Sequence, residues 1–399
     1  MKDFAFYLTP FELSYYEPII RNLPTDFFDI HIGSSQHRQC SFANLSNEIK
    51  KEIKTIADYG YSIFSLNSTL VNRYQKLIMS SGFFSRSQKL FDWNTTKASD
   101  ITCLFHSVDI PARSNEYVAR SYLCAHQRQA ETKETNKILQ RENPALFMEL
   151  MNLPQEMINE FAYAGPYHFG EWAIKRHLPK DHLRVELEDK LQVNLPSYKP
   201  IVAFLQDEFC HPGQLVQALK QLAQHVTLII KPLGQLEPIA GTYIWPDESY
   251  APNLLRFAAD FILAGYHSGS LASASMLGLK VIPYYTNLIH FGGRNFGRLS
   301  KYTAYLPGYF KGEHVCVDIL RHLNPPIDLM NTKFVLDRIY DMSWWTGYTQ
   351  RLSAAQKVIF GDYDIDGAAA KAARLLIRAF GRRSFGKDVV AVRLRPEYD

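Results

Sequence analysis

Short apolar runs alternate with longer polar or amphipathic segments along most of this chain. Unbroken apolar runs are typical of strands in a parallel sheet, because helices cover both faces of such a sheet. The segments between the runs are rich in helix formers. The pattern predicts strands at 4–8, 28–32, 61–64, 101–105, 122–125, 201–205, 226–230, 261–264 and 281–285. It predicts helices at 10–22, 47–57, 68–79, 127–141, 212–225 and 271–277.

The segment 253–285 is the most informative part of this pattern. An apolar strand at 261–264 runs into a polar turn, a helix follows, and Gly278 stands where that helix should stop. The backbone N–H groups and the positive dipole end of a helix N-terminus suit a phosphate group. An ordinary strand–turn–helix packing unit would show the same residues. The predicted donor-binding residues of this turn are Tyr266, His267, Ser268, Gly269 and Ser270.

A charged and proline-marked joint divides the alternating pattern into two halves. The charge run at 180–190 is typical of a solvated helix face, and prolines follow at Pro196 and Pro200. Strands alternate with helices on both sides of the joint, which predicts two facing, doubly wound, Rossmann-like α/β domains. We expect a first domain at 1–180, a linker at 181–199, a second domain at 200–375 and a tail at 376–399.

Composition narrows the functional classes. The chain has 399 residues, 46% of them hydrophobic, which suits a globular protein with two cores. The net charge of +4 fits an anionic ligand and does not indicate nucleic-acid binding. Five scattered cysteines without a CxxC pair indicate neither a zinc site nor a disulfide framework. This cysteine usage fits a reducing cytoplasm. No apolar run is long enough for a membrane span, so we expect a cytoplasmic protein that is at most peripheral at the inner face of the membrane.

Six short motifs carry a resemblance to a known family in their order and spacing. They are Leu104-Phe105-His106-Ser107, Ala164-Gly165-Pro166-Tyr167, the run 204–208, Ile229-Ile230-Lys231-Pro232, the run 259–268 and the run 364–374. Together they resemble the CDP-glycerol glycerophosphotransferase family of cell-wall and capsule enzymes. The resemblance implies the GT-B arrangement, a cytidine-activated donor, and a surface polysaccharide or its lipid-linked precursor as acceptor. Transferases that use CMP-Kdo are similar in motif order.

Four positions depart from the family pattern. Ser107 replaces a glycine, Lys231 replaces the histidine of a His-Pro pair, and Gly265 and His267 replace the aspartate and first serine of an Asp-Tyr-Ser-Ser motif. The resemblance therefore supports the fold and an activated-nucleotide donor more strongly than it supports a particular substrate. Through the resemblance, Pro232 joins the donor site.

Candidate catalytic residues follow from what transfer chemistry needs. His106, after a first-domain strand, is a candidate base for the acceptor hydroxyl, with a structural interface histidine as the alternative. Lys231 would neutralise the departing phosphate, unless it is a solvated lysine. Asp207 and Glu208 would act as base or nucleophile or bind an acceptor hydroxyl, unless they are solvated or cap the next helix.

Acceptor binding is assigned to Arg294, in a Gly- and Arg-rich loop at 292–298, and to Gly165. No Asp-x-Asp motif follows a strand in the expected context, so we expect no metal and no cofactor beyond the nucleotide-activated donor. The predicted function is a GT-B transferase of capsule or cell-envelope biosynthesis. A nucleotide-sugar 2-epimerase, with Asp207, Glu208 and His211 around the sugar, is a second enzyme class. A GT-B module that binds nucleotide or glycan without turnover is the non-enzymatic alternative.

Overall fold

The structure, a computed structural model, describes residues 4–33, 45–65, 74, 76–80, 100–104, 134–139, 161–169, 175–206, 210–233, 236–246, 252–265, 268–286, 288–291, 294–298, 324–360 and 364–384. Within these ranges the strands form a seven-stranded sheet, a six-stranded sheet and a separate two-stranded hairpin. Every neighbouring pair in the two large sheets is parallel. The two-domain, doubly wound α/β class predicted from the apolar runs is confirmed.

The first sheet belongs to the N-terminal half of the chain. Its strands are β1 (Phe4–Leu8), β2 (Phe28–Ile32), β3 (Ser62–Ser65), β4 (Lys76–Ser80), β5 (Asp100–Leu104), β6 (Glu134–Leu139) and β7 (Phe161–Tyr163), in the spatial order β3-β2-β1-β4-β5-β6-β7. Helix α1 (Leu13–Ile20) follows β1 through a short 3₁₀ turn, and α2 (Asn47–Asp58) follows β2. All five residues of β1 and of β2 are buried. Burial explains the unbroken apolar sequence of β1, whereas β2 also buries the polar side chains of Asp29 and His31.

The second sheet is built by residues 201–328. Its strands are β8 (Ile201–Leu205), β9 (Thr227–Lys231), β10 (Thr242–Ile244), β11 (Phe261–Gly265), β12 (Val281–Tyr285) and β15 (Ile327–Asp328), in the order β10-β9-β8-β11-β12-β15. The hairpin consists of β13 (Leu288–Phe291) and β14 (Arg294–Arg298). The helices are α3 (Lys180–Leu191), α4 (Pro212–Leu222), α5 (Asn253–Ala258), α6 (Gly269–Met276), α7 (Thr332–Tyr340) and α8 (Met342–Phe360).

The last described helix, α9 (Ala368–Ser384), returns to the first sheet. Its Ala368, Ala372, Ala373 and Leu376 are buried in the same core cluster as the residues of β1 and α1. Three alanines on one helix face let α9 approach closely. The N-terminal core is thus completed by a segment from the far end of the chain, while the division of the chain at 180, 199 and 375 stays a prediction.

Gly165 lies where that returning segment meets the first sheet. Its φ is +92°, and a Cβ built there would lie 2.9 Å from the Asp364 carbonyl oxygen and 3.1 Å from the Ala368 Cβ. An L-residue would be strained at this φ, and the contact leaves no room for a side chain. Packing therefore accounts for this glycine, and its acceptor-binding role stays a prediction.

Three local predictions were wrong, and one other lies outside the described residues. The helix expected at 68–79 is contradicted by β4, and that expected at 127–141 is contradicted by β6, which pairs with β5 and β7. Pairing with neighbours on both sides outweighs the polar, helix-favouring composition of β6. The loop expected at 292–298 contains β14. The strand expected at 122–125 lies outside the described residues, as does the part of 68–79 before residue 74.

Candidate functional site

Both sheets reverse their strand order at one position, and these positions define the candidate site. The reversal lies between β1 and β4 in the first sheet and between β8 and β11 in the second. Open α/β sheets bind ligands in the crevice outside the carboxyl ends of the strands that flank such a reversal. In the second sheet this crevice lies beside Gln206, which follows β8, and beside the turn between β11 and α6. The turn predicted from sequence as a phosphate site is therefore at the switch point of its sheet.

The turn between β11 and α6 has the geometry of a capped helix start. Ser268 is extended, and its Oγ accepts a hydrogen bond from the Ser270 N–H at 3.2 Å. The Ser268 N–H donates to the Gly265 carbonyl at 2.9 Å, which folds the chain tightly back onto the strand end. Gly278, with φ +74°, ends the helix as predicted. Ser268, Gly269 and Ser270 are thus placed at the helix N-terminus, while Tyr266 and His267 lie outside the described residues.

Lys231 ends β9 at the same edge of the sheet. It is paired with Leu205, the last residue of β8, and Leu205 is paired in turn with Ala264 of β11. Two strand spacings separate Lys231 from the β11 end, or about 10 Å. The Gln206 N–H donates to the Lys231 carbonyl at 3.1 Å, and the Gln206 Oε1 accepts from the Leu233 N–H at 3.0 Å. Pro232 lies between the two residues that Gln206 bonds. These hydrogen bonds fix the backbone on both sides of Pro232, and with it the position of the half-buried Lys231.

Arg256 is a site residue that the sequence reasoning missed. It lies on α5 with 2% of its surface exposed, and its Nη2 donates to the Ser270 Oγ at 3.0 Å. Burial lowers the pKa of Arg256, and its interaction with the Tyr15 side chain, which includes a hydrogen bond, opposes that shift. The available signal was a single arginine inside the apolar run 254–259, since arginine is rarely buried unless it is paired.

Tyr15 brings the N-terminal half of the chain to this site. It lies on α1, directly after β1 and therefore at the switch point of the first sheet. Its ring packs edge-on against the ring of His168, with centroids 5.4 Å apart, and His168 is buried in the 3₁₀ turn after β7. The contact between Tyr15 and Arg256 joins the switch points of the two sheets.

The remaining predicted residues divide into two groups. Arg294 begins β14, whose partner strand β13 is attached to the second domain because the Leu288 N–H donates to the Gln214 Oε1 at 3.1 Å. Gly165 lies in the contact with Asp364 described above. His106, Asp207 and Glu208 lie outside the described residues. Along the chain, His106 follows β5, and Asp207 and Glu208 follow β8. Their roles stay predictions.

Two further properties bear on the chemistry. Within the described ranges, no group of three or more His, Cys, Asp or Glu side chains has an arrangement that would hold a metal ion. Over the same ranges, no helix combines the length and the apolarity required to span a bilayer.

Comparison with known proteins shows the class of fold. No protein-family model matches the chain, and no curated protein matches it by sequence. A histidine-to-asparagine variant of the wall teichoic acid polymerase TagF, soaked with CDPG, is similar with a TM-score of 0.61 at 10% identity, over 95% of this chain and 89% of that chain. At this identity the likeness shows the fold alone, which is the GT-B arrangement of two Rossmann-like domains.

Two other solved structures are similar over most of this chain. A histidine-to-alanine variant of TagF has a TM-score of 0.58 at 11% identity, covering 95% of this chain and 89% of that chain. The UDP-GlcNAc 2-epimerase from Neisseria meningitidis, bound to UDP-GlcNAc, has a TM-score of 0.54 at 12% identity, covering 95% and 100%. The fold predicted through the motif resemblance is thus confirmed, and TagF is among the structures that share it.

Proposed function

We propose that this protein is a GT-B transferase that moves a glycosyl or polyol-phosphate group from a cytidine-activated donor to a surface polysaccharide or its lipid-linked precursor. The observation that carries the proposal is the capped N-terminus of α6 at the switch point of the second sheet, with Lys231 about two strand spacings away on the same edge. A phosphate placed there meets backbone N–H groups and a cation. TagF, soaked with CDPG, shares this fold.

The proposed reaction assigns one task to each region. His106 takes the proton of the acceptor hydroxyl as its oxygen attacks the transferred group. For a polyol-phosphate donor, a P–O bond forms to the acceptor and the bridging P–O bond breaks, so that CMP leaves with the bonding electrons. For a CMP-linked sugar, a C–O bond forms between the anomeric carbon and the acceptor oxygen, the C–O bond from that carbon to the phosphate breaks, and CMP again leaves with the bonding electrons. Lys231 and the Ser268–Ser270 turn would stabilise the negative charge that develops on the leaving phosphate.

The finer assignments belong to the same proposal. Asp207 and Glu208, which follow β8, would bind the acceptor hydroxyl or assist the base, and Arg294 would contact the acceptor. Tyr266 and His267 would add to the donor site beside Ser268. An acceptor that is lipid-linked would place the protein at the cytoplasmic face of the membrane. None of these steps requires a metal ion.

The second candidate is a nucleotide-sugar 2-epimerase, because the Neisseria meningitidis UDP-GlcNAc 2-epimerase also shares the fold. In that case Asp207, Glu208 and His211 would surround the sugar. Turnover of a nucleotide sugar without any acceptor would favour it. Binding of a cytidine nucleotide without turnover in any acceptor panel would instead favour a non-catalytic module.

The test is release of CMP from CDP-glycerol and from CMP-Kdo, with and without lipid-linked glycan acceptors. We expect acceptor-dependent release by the wild type and a decrease of about 100-fold or more in His106→Ala and in Lys231→Met. Lys333→Met is the matched control, because Lys333 is exposed on α7 and pairs with Asp337. Wild-type rates in Lys231→Met, or equal loss in the control, would remove Lys231 from the mechanism.

A further inference from the structure

Arg256 is a buried cation whose hydrogen bonds are incomplete. A guanidinium stays ionised at neutral pH and carries five N–H donors. The Nη2 of Arg256 has a partner in Ser270, but no acceptor among the described residues contacts its Nε or its Nη1. Its side chain is nonetheless almost completely buried, with 2% of the residue exposed. Charged groups are rarely held in this way unless an anion completes the site.

The position of this guanidinium is specific. Ser270, its hydrogen-bond partner, lies in the first turn of α6, whose backbone N–H groups have no intrahelical acceptors. Ser268 caps one of these groups. The guanidinium and the helix dipole therefore place positive potential at one point. Tyr15, which hydrogen-bonds the Arg256 side chain, offers a phenolic hydroxyl and not a carboxylate, so it supplies no formal counter-charge.

We infer that Arg256 binds an anionic phosphate group of the nucleotide donor, held between its guanidinium and the Ser268–Ser270 turn. The chemical class of ligand is a phosphate or diphosphate ester. That this anion belongs to the donor rests on the proposed function, whereas the anion site itself does not. The site has an independent basis, since none of the sequence motifs includes Arg256 in a donor-binding role.

An anion-binding role and a structural role make opposite predictions for the ligand-free protein. A methionine matches the aliphatic part of the arginine side chain and has no charge, so Arg256→Met removes a buried cation and keeps most of its apolar packing. Replacing a poorly compensated buried charge by an apolar side chain is often neutral or stabilising. If Arg256 instead formed an ion pair with a protein carboxylate, Arg256→Met would leave that carboxylate buried without a partner and would lower stability.

The experiment combines thermal unfolding with calorimetric titration of the full chain, using inorganic pyrophosphate, CDP and cytidine as probes. We expect Arg256→Met to unfold at the wild-type temperature or above it. We expect its Kd for pyrophosphate and for CDP to rise by about 10- to 100-fold, while any affinity for cytidine, which lacks phosphate, is unchanged. Ser270→Ala removes the Nη2 partner, and we expect a smaller loss of pyrophosphate affinity.

Arg338→Met is the matched control. Arg338 is a half-buried arginine on α7, and its Nη1 donates to the Asn324 Oδ1 at 2.8 Å. The Asn324 amide in turn bonds the carbonyl of Val281, the first residue of β12, so this arginine lies at the opposite edge of the sheet. We expect Arg338→Met to leave the Kd for pyrophosphate unchanged.

The outcomes separate this inference from the proposed function. Unchanged pyrophosphate affinity in Arg256→Met would overturn the inference, even if CMP release showed the chain to be a transferase. Loss of pyrophosphate binding, without transfer from any cytidine donor, would support the anion site and contradict the proposed function. If Arg256→Met fails to fold and Ser270→Ala binds pyrophosphate like the wild type, Arg256 is structural and the inference is wrong.

Discussion

The buried polar network of the first sheet predicts a loss of stability in mild acid. His31 on β2 is fully buried, and its Nε2 lies 2.7 Å from the Tyr74 hydroxyl. Because that hydroxyl donates to the Asp29 Oδ2 at 3.1 Å, it accepts from His31, which fixes the proton on Nε2. The Nδ1 of His31 has no partner among the described residues. Protonation would add a charge and a donor there without an acceptor.

The size of this loss of stability follows from the pKa of His31. Burial lowers the pKa of His31 from 6.5 to about 4, against the opposing effect of Asp29. The unfolded chain therefore binds a proton at a higher pH than the folded chain, and stability falls as the pH decreases from about 6.5 to about 4. Linkage gives a loss of about 2 kcal/mol between pH 8 and pH 5, and about 3 kcal/mol below pH 4.

The assay is urea unfolding at pH 8 and pH 5, with hydrogen exchange in β1 and β2 to locate the transition that includes the first sheet. We expect His31→Gln to be less stable than the wild type at pH 8 and to lose about 2 kcal/mol less on transfer to pH 5. His182→Gln is the control, because its side chain is 63% exposed. The same pH dependence in His31→Gln and the wild type would show that His31 does not cause the loss of stability in acid.

Two further substitutions test how the segments are joined. Gly165→Ala forces a Cβ to within 2.9 Å of the Asp364 carbonyl at a φ of +92° and should lower the unfolding free energy by about 1–3 kcal/mol. Gly213→Ala, with its nearest contact at 3.5 Å in a helix, should be neutral or stabilising, and equal urea midpoints for the two would contradict the packing account. Lys180→Met should destabilise the second domain by about 1 kcal/mol in urea unfolding, because Lys180 Nζ donates at 2.6 Å to the Phe257 and Ala259 carbonyls at the end of α5. No change relative to Lys333→Met would show that these bonds contribute nothing.

The strands of the two sheets were predictable wherever burial on both faces imposed an unbroken apolar run. β8, β9, β11 and β12 are all of this kind, and their bounds match the expected ones closely. β6 was not predictable in this way, because the first four residues of ETNKIL are all polar and the strand is held by pairing with β5 and β7. The local composition of a segment does not show which strands it will pair with.

The residues of the candidate site were predictable only where a polar or charged residue directly follows a strand that the sequence itself predicts. The turn before α6 and the cation after β9 each follow a strand, so the parallel topology brings them to one edge. Arg256 could not be found this way, because its surroundings include the Tyr15 side chain from the other half of the chain. Gly165 shows the converse, since its contact with Asp364 depends on a segment that is distant in sequence.

The proposed function requires that the carboxyl edge of the second sheet binds a cytidine nucleotide through its phosphate. The most direct measurement is thermal unfolding of the wild type and of Lys231→Met in the presence of CMP, CDP, UDP and GDP. A ligand at 100 times its Kd stabilises the folded state by about 2.7 kcal/mol. We expect CMP or CDP to raise the Tm of the wild type selectively, and we expect a smaller rise in Lys231→Met. A wild-type Tm that no nucleotide raises, or an undiminished rise in Lys231→Met, would contradict the proposed function.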